Sequence, residues 1–177
     1  MRSLRMPWFP VAGNHDIYWR GDGRPPVEHE ANYEKHFGPL WYWFEHKQCG
    51  FLVLHSDEGD PGNPVKARDY GEPTQQKVSD AQLEWVRKSL AEMKPLRHVF
   101  VFMHHPRWAT DIYPGSNWTA VHSLLRDNGN VRACFADRAL GDTSLWGAMS
   151  VSLIAEPGLR RIWGDWIDGH LKRHRET

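Results

Sequence analysis

Apolar residues fall in short blocks along the 177-residue chain, and their spacing changes from one block to the next. PWFPVA (7–12) is a near-continuous run that stops at Gly13, which predicts a strand over residues 8–12. RGDGRPP (20–26) is turn chemistry. EHEANYEKHFG (28–38) predicts a short helix stopped by Gly38 and Pro39. LWYWFEH (40–46) and GFLVLHS (50–56) are aromatic and β-branched runs, which predict an antiparallel pair joined near KQCG.

Residues 56–77 are rich in proline and glycine and have no apolar period, which predicts a long surface loop. A helix is expected from Ser79, where Ser79 and Gln82 fit a capping box. Leu83, Val86, Leu90 and Met93 then share one face, and Pro95 ends the element. HVFVFM (98–103) predicts a strand covered on both faces, delivering His104, His105 and Pro106 to its C-terminal end. A second helix is expected from about Asn117 to Gly129 with Trp118, Val121, Leu124 and Leu125 inward, followed by a buried strand VRACFA (131–136). Residues 137–177 show little period, although LWGAMSVSLIA is apolar enough for one more strand. Strand–helix–strand alternation means α/β (α+β) layering, with strand ends gathered at a common edge.

Charge narrows the possible partners. Lys and Arg total 22 and Asp and Glu total 22, so no basic footprint for a nucleic-acid backbone exists. No run of 18 apolar residues predicts a membrane span, and MRSLRMPWFP has neither the apolar core nor the cleavage site of a signal peptide. Compartment and oligomeric state are left open. Cys49 and Cys134 form no metal-type pair and read as small buried residues. Ten tryptophans and eleven histidines are high for this length, and packing is the first reading of the aromatic excess.

Two polar clusters each follow an apolar run directly: Asn14-His15-Asp16 and His104-His105. Either alone reads as a polar turn or strand exit; the pair reads as a reacting site at strand ends. FPVAGNHD followed by VFVFMHHPRW, with KVSDAQLEWVRKSL between them, resembles the calcineurin-like metallophosphoesterases over residues 7 to about 136. The resemblance implies a two-layer β-sandwich flanked by helices, a dinuclear centre of divalent ions of the Mn, Fe or Zn type, and a small phosphoester substrate. It implies Asn14 and His104 as metal ligands, His15 as the acid that protonates the leaving alkoxide, and Asp16 as the carboxylate that orients His15. His105 matches no ligand of the family and reads as loop structure. Such chemistry uses two ions roughly 3.5–4 Å apart to clamp the attacking and leaving oxygens.

The chain departs from the family pattern at both ends. D-x-H and G-D-x-x-D have no counterpart before G-N-H-D, and Asp22 is a turn residue that cannot replace the bridging carboxylate. FADRALGDTSLW, with Asp137 and Arg138, stands where G-H-x-H is expected, and no histidine occurs between 123 and 169. His170 and His174 have the wrong spacing and read as a solvated basic tail. The expectation is therefore a partial domain over 1–136, truncated at its N-terminal strands, and a divergent segment over 137–177 from a frameshifted or rearranged end. Weak metal binding and weak or no hydrolysis follow. The alternatives are a non-catalytic relative that binds a ligand or partner through Trp41, Tyr42, Trp43, Trp108, Tyr113 and Trp118, and a non-functional fragment.

Overall fold

The computed structural model describes residues 7–17, 28–58, 77–108, 115–137 and 149–153. Two helices open the chain, α1 (Asn14–Ile17) and α2 (Glu28–Phe37). The strands β1 (Tyr42–His46) and β2 (Cys49–Val53) follow, then α3 (Asp80–Glu92), β3 (His98–Met103), α4 (Thr119–Asp127), β4 (Val131–Asp137) and β5 (Met149–Leu153). The strands form one mixed sheet in the order β1-β2-β3-β4-β5. The outer pairs β1/β2 and β4/β5 are antiparallel, and the inner pairs β2/β3 and β3/β4 are parallel. Each parallel pair is joined by a helical crossover, as parallel strands require. A mixed sheet flanked by helices is as expected, and of the two-layer β-sandwich the described residues form one sheet.

The β1–β2 hairpin turns through two residues, with His46 opposite Cys49. Lys47 and Gln48 both hold positive φ, 49° and 60°, as the twist of a two-residue hairpin demands. Side chains with a Cβ are strained there. Replacing Lys47-Gln48 by Asn-Gly is expected to raise stability by about 1 kcal/mol, measured as a higher urea midpoint at unchanged slope.

Helices α3 and α4 cover the same face of the sheet. Val86 and Leu90 of α3, Met93 at its C-cap, and Val121 and Leu125 of α4 pack on Leu52, Val99, Val101, Met103 and Cys134. Trp118, at the start of α4, is fully buried in this core. The opposite face carries half-buried phenylalanines: Phe44 stacks on Phe51, and Phe102 stacks on Phe135. Strand β3 therefore alternates, burying Val99, Val101 and Met103 fully and Phe100 and Phe102 only in part. Coverage of both faces was expected from the apolar run, and the six residues are instead two faces of unequal burial. Cys134 is buried, Cys49 half-buried, and both are free thiols.

Residues 8–12 are not a strand. Pro7 and Pro10 remove two of the donors a ladder would need, so the run crosses the sheet surface as irregular chain. It is held there by Phe9, stacked on Phe44 with ring centroids 3.8 Å apart, and by the Tyr42 hydroxyl, which donates to the Pro10 carbonyl at 2.9 Å. The G-N-H-D motif thus opens the short helix α1 rather than ending a strand.

Candidate metal centre

The site grows from the C-terminal ends of two parallel strands. In the Val53↔Phe102 register, β2 runs on into His55-Ser56-Asp57 beside the His104-His105 exit of β3. The Leu54 N–H donates to the Phe102 carbonyl at 2.9 Å, the last backbone bond of that pairing. Beyond it, side chains continue the ladder. Ser56 Oγ accepts the His105 backbone N–H at 2.9 Å, and the Ser56 carbonyl accepts Arg107 Nε–H at 3.0 Å.

Asp57 is the centre of this network. Ser56 Oγ–H donates to its Oδ2 at 2.7 Å, and His105 Nδ1 stands 2.8 Å from its Oδ1. A carboxylate only accepts, so the proton of this bond sits on His105 Nδ1. Arg107 pairs with the same Oδ1 through Nη2. Asp57 is 0% exposed and Arg107 1%, so the ion pair is out of water. Burial pushes the Asp57 carboxyl up, but the His105 hydrogen bond and the charges of His105, Arg107 and His55 outweigh it and hold the group well below the usual carboxylate range.

His104 lies between this network and the G-N-H-D segment. Its ring centroid is 4.0 Å from that of His105. On the other side is Gly13, where a Cβ would stand 3.3 Å from the imidazole. Only glycine lets the backbone come this close without moving the ring. His104 Nε2 then meets Asn14 Oδ1 at 2.9 Å, joining residues 90 positions apart in the chain. Asp16 is exposed, and its Oδ2 accepts the Gly13 N–H at 2.7 Å, which closes the first turn of α1. Its charge, second to burial, raises the Tyr33 hydroxyl to about 12. His15 stands on α1 between Asn14 and Asp16.

Asn14 and His104 are thus brought together, and Asp16 sits two positions on from Asn14 in the single turn of α1. Two expectations need correction. His105 does lie in the irregular exit of β3, but it is more than loop structure, since it is buried, bonded to Asp57 and within the potential ligand group. Ser56 and Asp57 do not belong to a surface loop, because both are wholly buried. Residues 59–76, Asp22, Tyr113, Arg138, His170 and His174 lie outside the described residues, as do the side chains of His15 and Asp137. The available signal for Asp57 was the matched pattern of FLVLHSD and VFVFMHHPR, two apolar runs that each end in polar residues.

The capping box also forms only by half. Ser79 Oγ accepts the Gln82 N–H at 3.1 Å, but the Ser79 N–H goes to Glu58 Oε2 at 2.9 Å. A charged carboxylate is the stronger acceptor. The Gln82 amide instead serves both backbone groups of His55, accepting its N–H at 2.9 Å and donating to its carbonyl at 3.1 Å. Helix α3 is thereby tied to the strand end that carries Asp57.

Among the described residues, Asp57, His104 and His105 form one group of potential ligands, their donor atoms all within 4.8 Å of one another. The donor chemistry divides it. Asp57 and His105 are engaged with each other and with Arg107, so a cation between them would have to displace a guanidinium. The Asn14–His104 side presents an amide oxygen and an imidazole nitrogen, a set that suits Mn, Fe or Zn. Five of the six aromatic residues considered as a binding platform are among the described residues, and Tyr42 donates to the Pro10 carbonyl. Trp118 is core, Trp43 and Trp108 pack against it, and Trp41 stacks on Trp85.

A helix-flanked mixed sheet thus carries imidazole and carboxylate groups at its strand ends, with the Asn14 amide of α1 beside them. Residues 1–136 match the calcineurin-like phosphoesterase family, and the chain belongs to that family. No curated protein and no solved structure matches it. No helix among the described residues is long and apolar enough to cross a membrane.

Proposed function

We propose that this chain is a metal-dependent phosphoester hydrolase domain. Asn14 Oδ1 and His104 Nε2 are its metal ligands, His15 is its general acid, and Asp16 orients that acid. The observation that supports this is the 2.9 Å approach of Asn14 Oδ1 to His104 Nε2. Neighbouring ligands on an octahedral ion with bonds of about 2.1 Å stand about 3 Å apart, so the two atoms suit one ion with little rearrangement. Divalent ions bound there supply Lewis acidity to the phosphoryl oxygens and generate the nucleophile at neutral pH.

The protein's own groups do the rest. His15 holds a proton on a ring nitrogen and delivers it to the leaving alkoxide oxygen, and Asp16 raises its basicity. Asn14 and His104 fix where the phosphoryl group is met. Both are neutral ligands, and the carboxylate of the described cluster, Asp57, is committed to Arg107 and His105. Metal binding and turnover by this chain are therefore weak.

The expected result is slow, Mn-dependent hydrolysis of p-nitrophenyl phosphate or bis-p-nitrophenyl phosphate. His15→Ala should cut it by about 10²-fold or more. Turnover indifferent to that change would remove His15 from the mechanism, and calorimetry showing two ions bound stoichiometrically at micromolar concentration would overturn the weak-site reading.

A further inference from the structure

We propose that Arg107 is a positioning residue that sets the orientation of His104 through Asp57, Ser56 and His105. The inference rests on the reading of Asn14 and His104 as ligands and extends it to residues that touch neither metal nor substrate. Arg107 grips both sides of the strand-end gap. Its Nε–H donates to the Ser56 carbonyl at 3.0 Å, its Nη2 pairs with Asp57, and its own N–H donates to the His105 carbonyl at 2.8 Å. The chain from His105 to Arg107 is therefore folded back on itself and pinned to the end of β2.

His105 is fixed at two atoms by the same network, its N–H on Ser56 Oγ and its Nδ1 on Asp57 Oδ1. That leaves its ring as a wall 4.0 Å from the His104 ring, with Gly13 closing the other side. An imidazole held between a ring and a backbone segment keeps Nε2 aimed at Asn14 Oδ1. Only a planar fork makes the Nε and Nη2 bonds together, so lysine, with the same charge, does not replace Arg107. Residues that support metal ligands in this way typically change metal affinity by about 10–100-fold when lost.

The test uses the full chain with ¹⁵N-labelled histidine in the native, Arg107→Lys, Ser56→Ala and His104→Ala forms. Imidazole nitrogen shifts are read without metal, and Mn²⁺ is then titrated to follow paramagnetic broadening. In Arg107→Lys, the His104 nitrogens are expected to move toward solvent-exposed values. The Mn²⁺ midpoint is expected to rise about tenfold, with far-UV circular dichroism unchanged. Ser56→Ala, which removes the Oγ bridge but leaves the ion pair, should move the same signals less, and it carries the test if Arg107→Lys does not fold. Native His104 shifts and native Mn²⁺ midpoint in the variants, whatever their stability, would reduce Arg107 to a structural role and overturn the proposal. An Mn²⁺ midpoint unchanged in His104→Ala would overturn the ligand assignment instead, while the metal-free shifts still decide whether Arg107 orients the ring.

Discussion

Asp57→Ala is expected to destabilise the protein by about 3–5 kcal/mol, seen as a lower urea midpoint. The magnitude follows from what the change leaves behind. Arg107 is 1% exposed and pairs with Asp57, so removing the carboxylate takes an anionic partner from a buried guanidinium. His105 loses the acceptor for Nδ1–H at the same time, and Ser56 Oγ–H loses Asp57 Oδ2. Removing both charges is a smaller perturbation than removing one, because no buried ion then loses its Asp57 partner. The double variant Asp57→Ala/Arg107→Met should therefore be more stable than Asp57→Ala alone, and a double-mutant cycle reads the coupling directly. A loss below about 1 kcal/mol in the single variant would mean that water reaches Arg107 when its partner is gone.

The same pair sets an acid limit on the fold. The folded Asp57 carboxyl lies well below its ordinary range, whereas the unfolded chain protonates it near pH 3.9. A depressed folded value means that this contribution is fully present above the unfolded value and is lost as pH falls through the folded one. Stability measured from about pH 5 downward should thus fall less steeply in Asp57→Asn than in the native protein, with the two curves parallel near neutrality.

The parts of this fold legible in the sequence are those whose signals are local. The break between LWYWFEH and GFLVLHS marks the β1–β2 hairpin, the stripe Val86, Leu90 and Met93 marks α3, and HVFVFM coincides with β3. MSVSL, inside a segment of little period, is β5 beside β4. What failed depended on distance along the chain. Asp57 meets His105 and Arg107 across 48 and 50 residues, and only the apolar run that FLVLHSD ends sets it apart from the proline- and glycine-rich stretch that follows. Gln82 was read as a local capping partner because Ser79 is three residues away, yet its amide binds His55, 27 residues away. At residues 8–12 the apolar run was visible, but two prolines outweighed it. The strand-end positions of His104 and His105 could be read, whereas the difference in their surroundings could not. One ring faces Asn14 and the other is locked on Asp57.

Trp118→Ala is expected to cost about 3–5 kcal/mol, a fall in Tm of about 10 °C for a chain of this size. Trp118 is 0% exposed and packs in the core shared by α3, α4 and the sheet. Alanine would open a cavity where both helices meet, and secondary structure on both sides limits its collapse. The neighbouring Asn117 reinforces the junction. Its Oδ1 accepts the Val78 N–H at 2.8 Å, and its Nδ2 donates to the Val78 carbonyl at 3.0 Å, which ties the chain entering α3 to the chain entering α4. Trp118→Phe should behave differently. The indole Nε1–H is buried without a hydrogen-bond partner among the described residues, so phenylalanine removes that unsatisfied donor while keeping most of the apolar volume. Thermal unfolding of the two variants separates the contributions. A large loss in Ala with a small one in Phe identifies apolar volume as the stabilising element. Equal losses would mean that the indole nitrogen bonds a buried water, whose removal leaves its other partners unsatisfied.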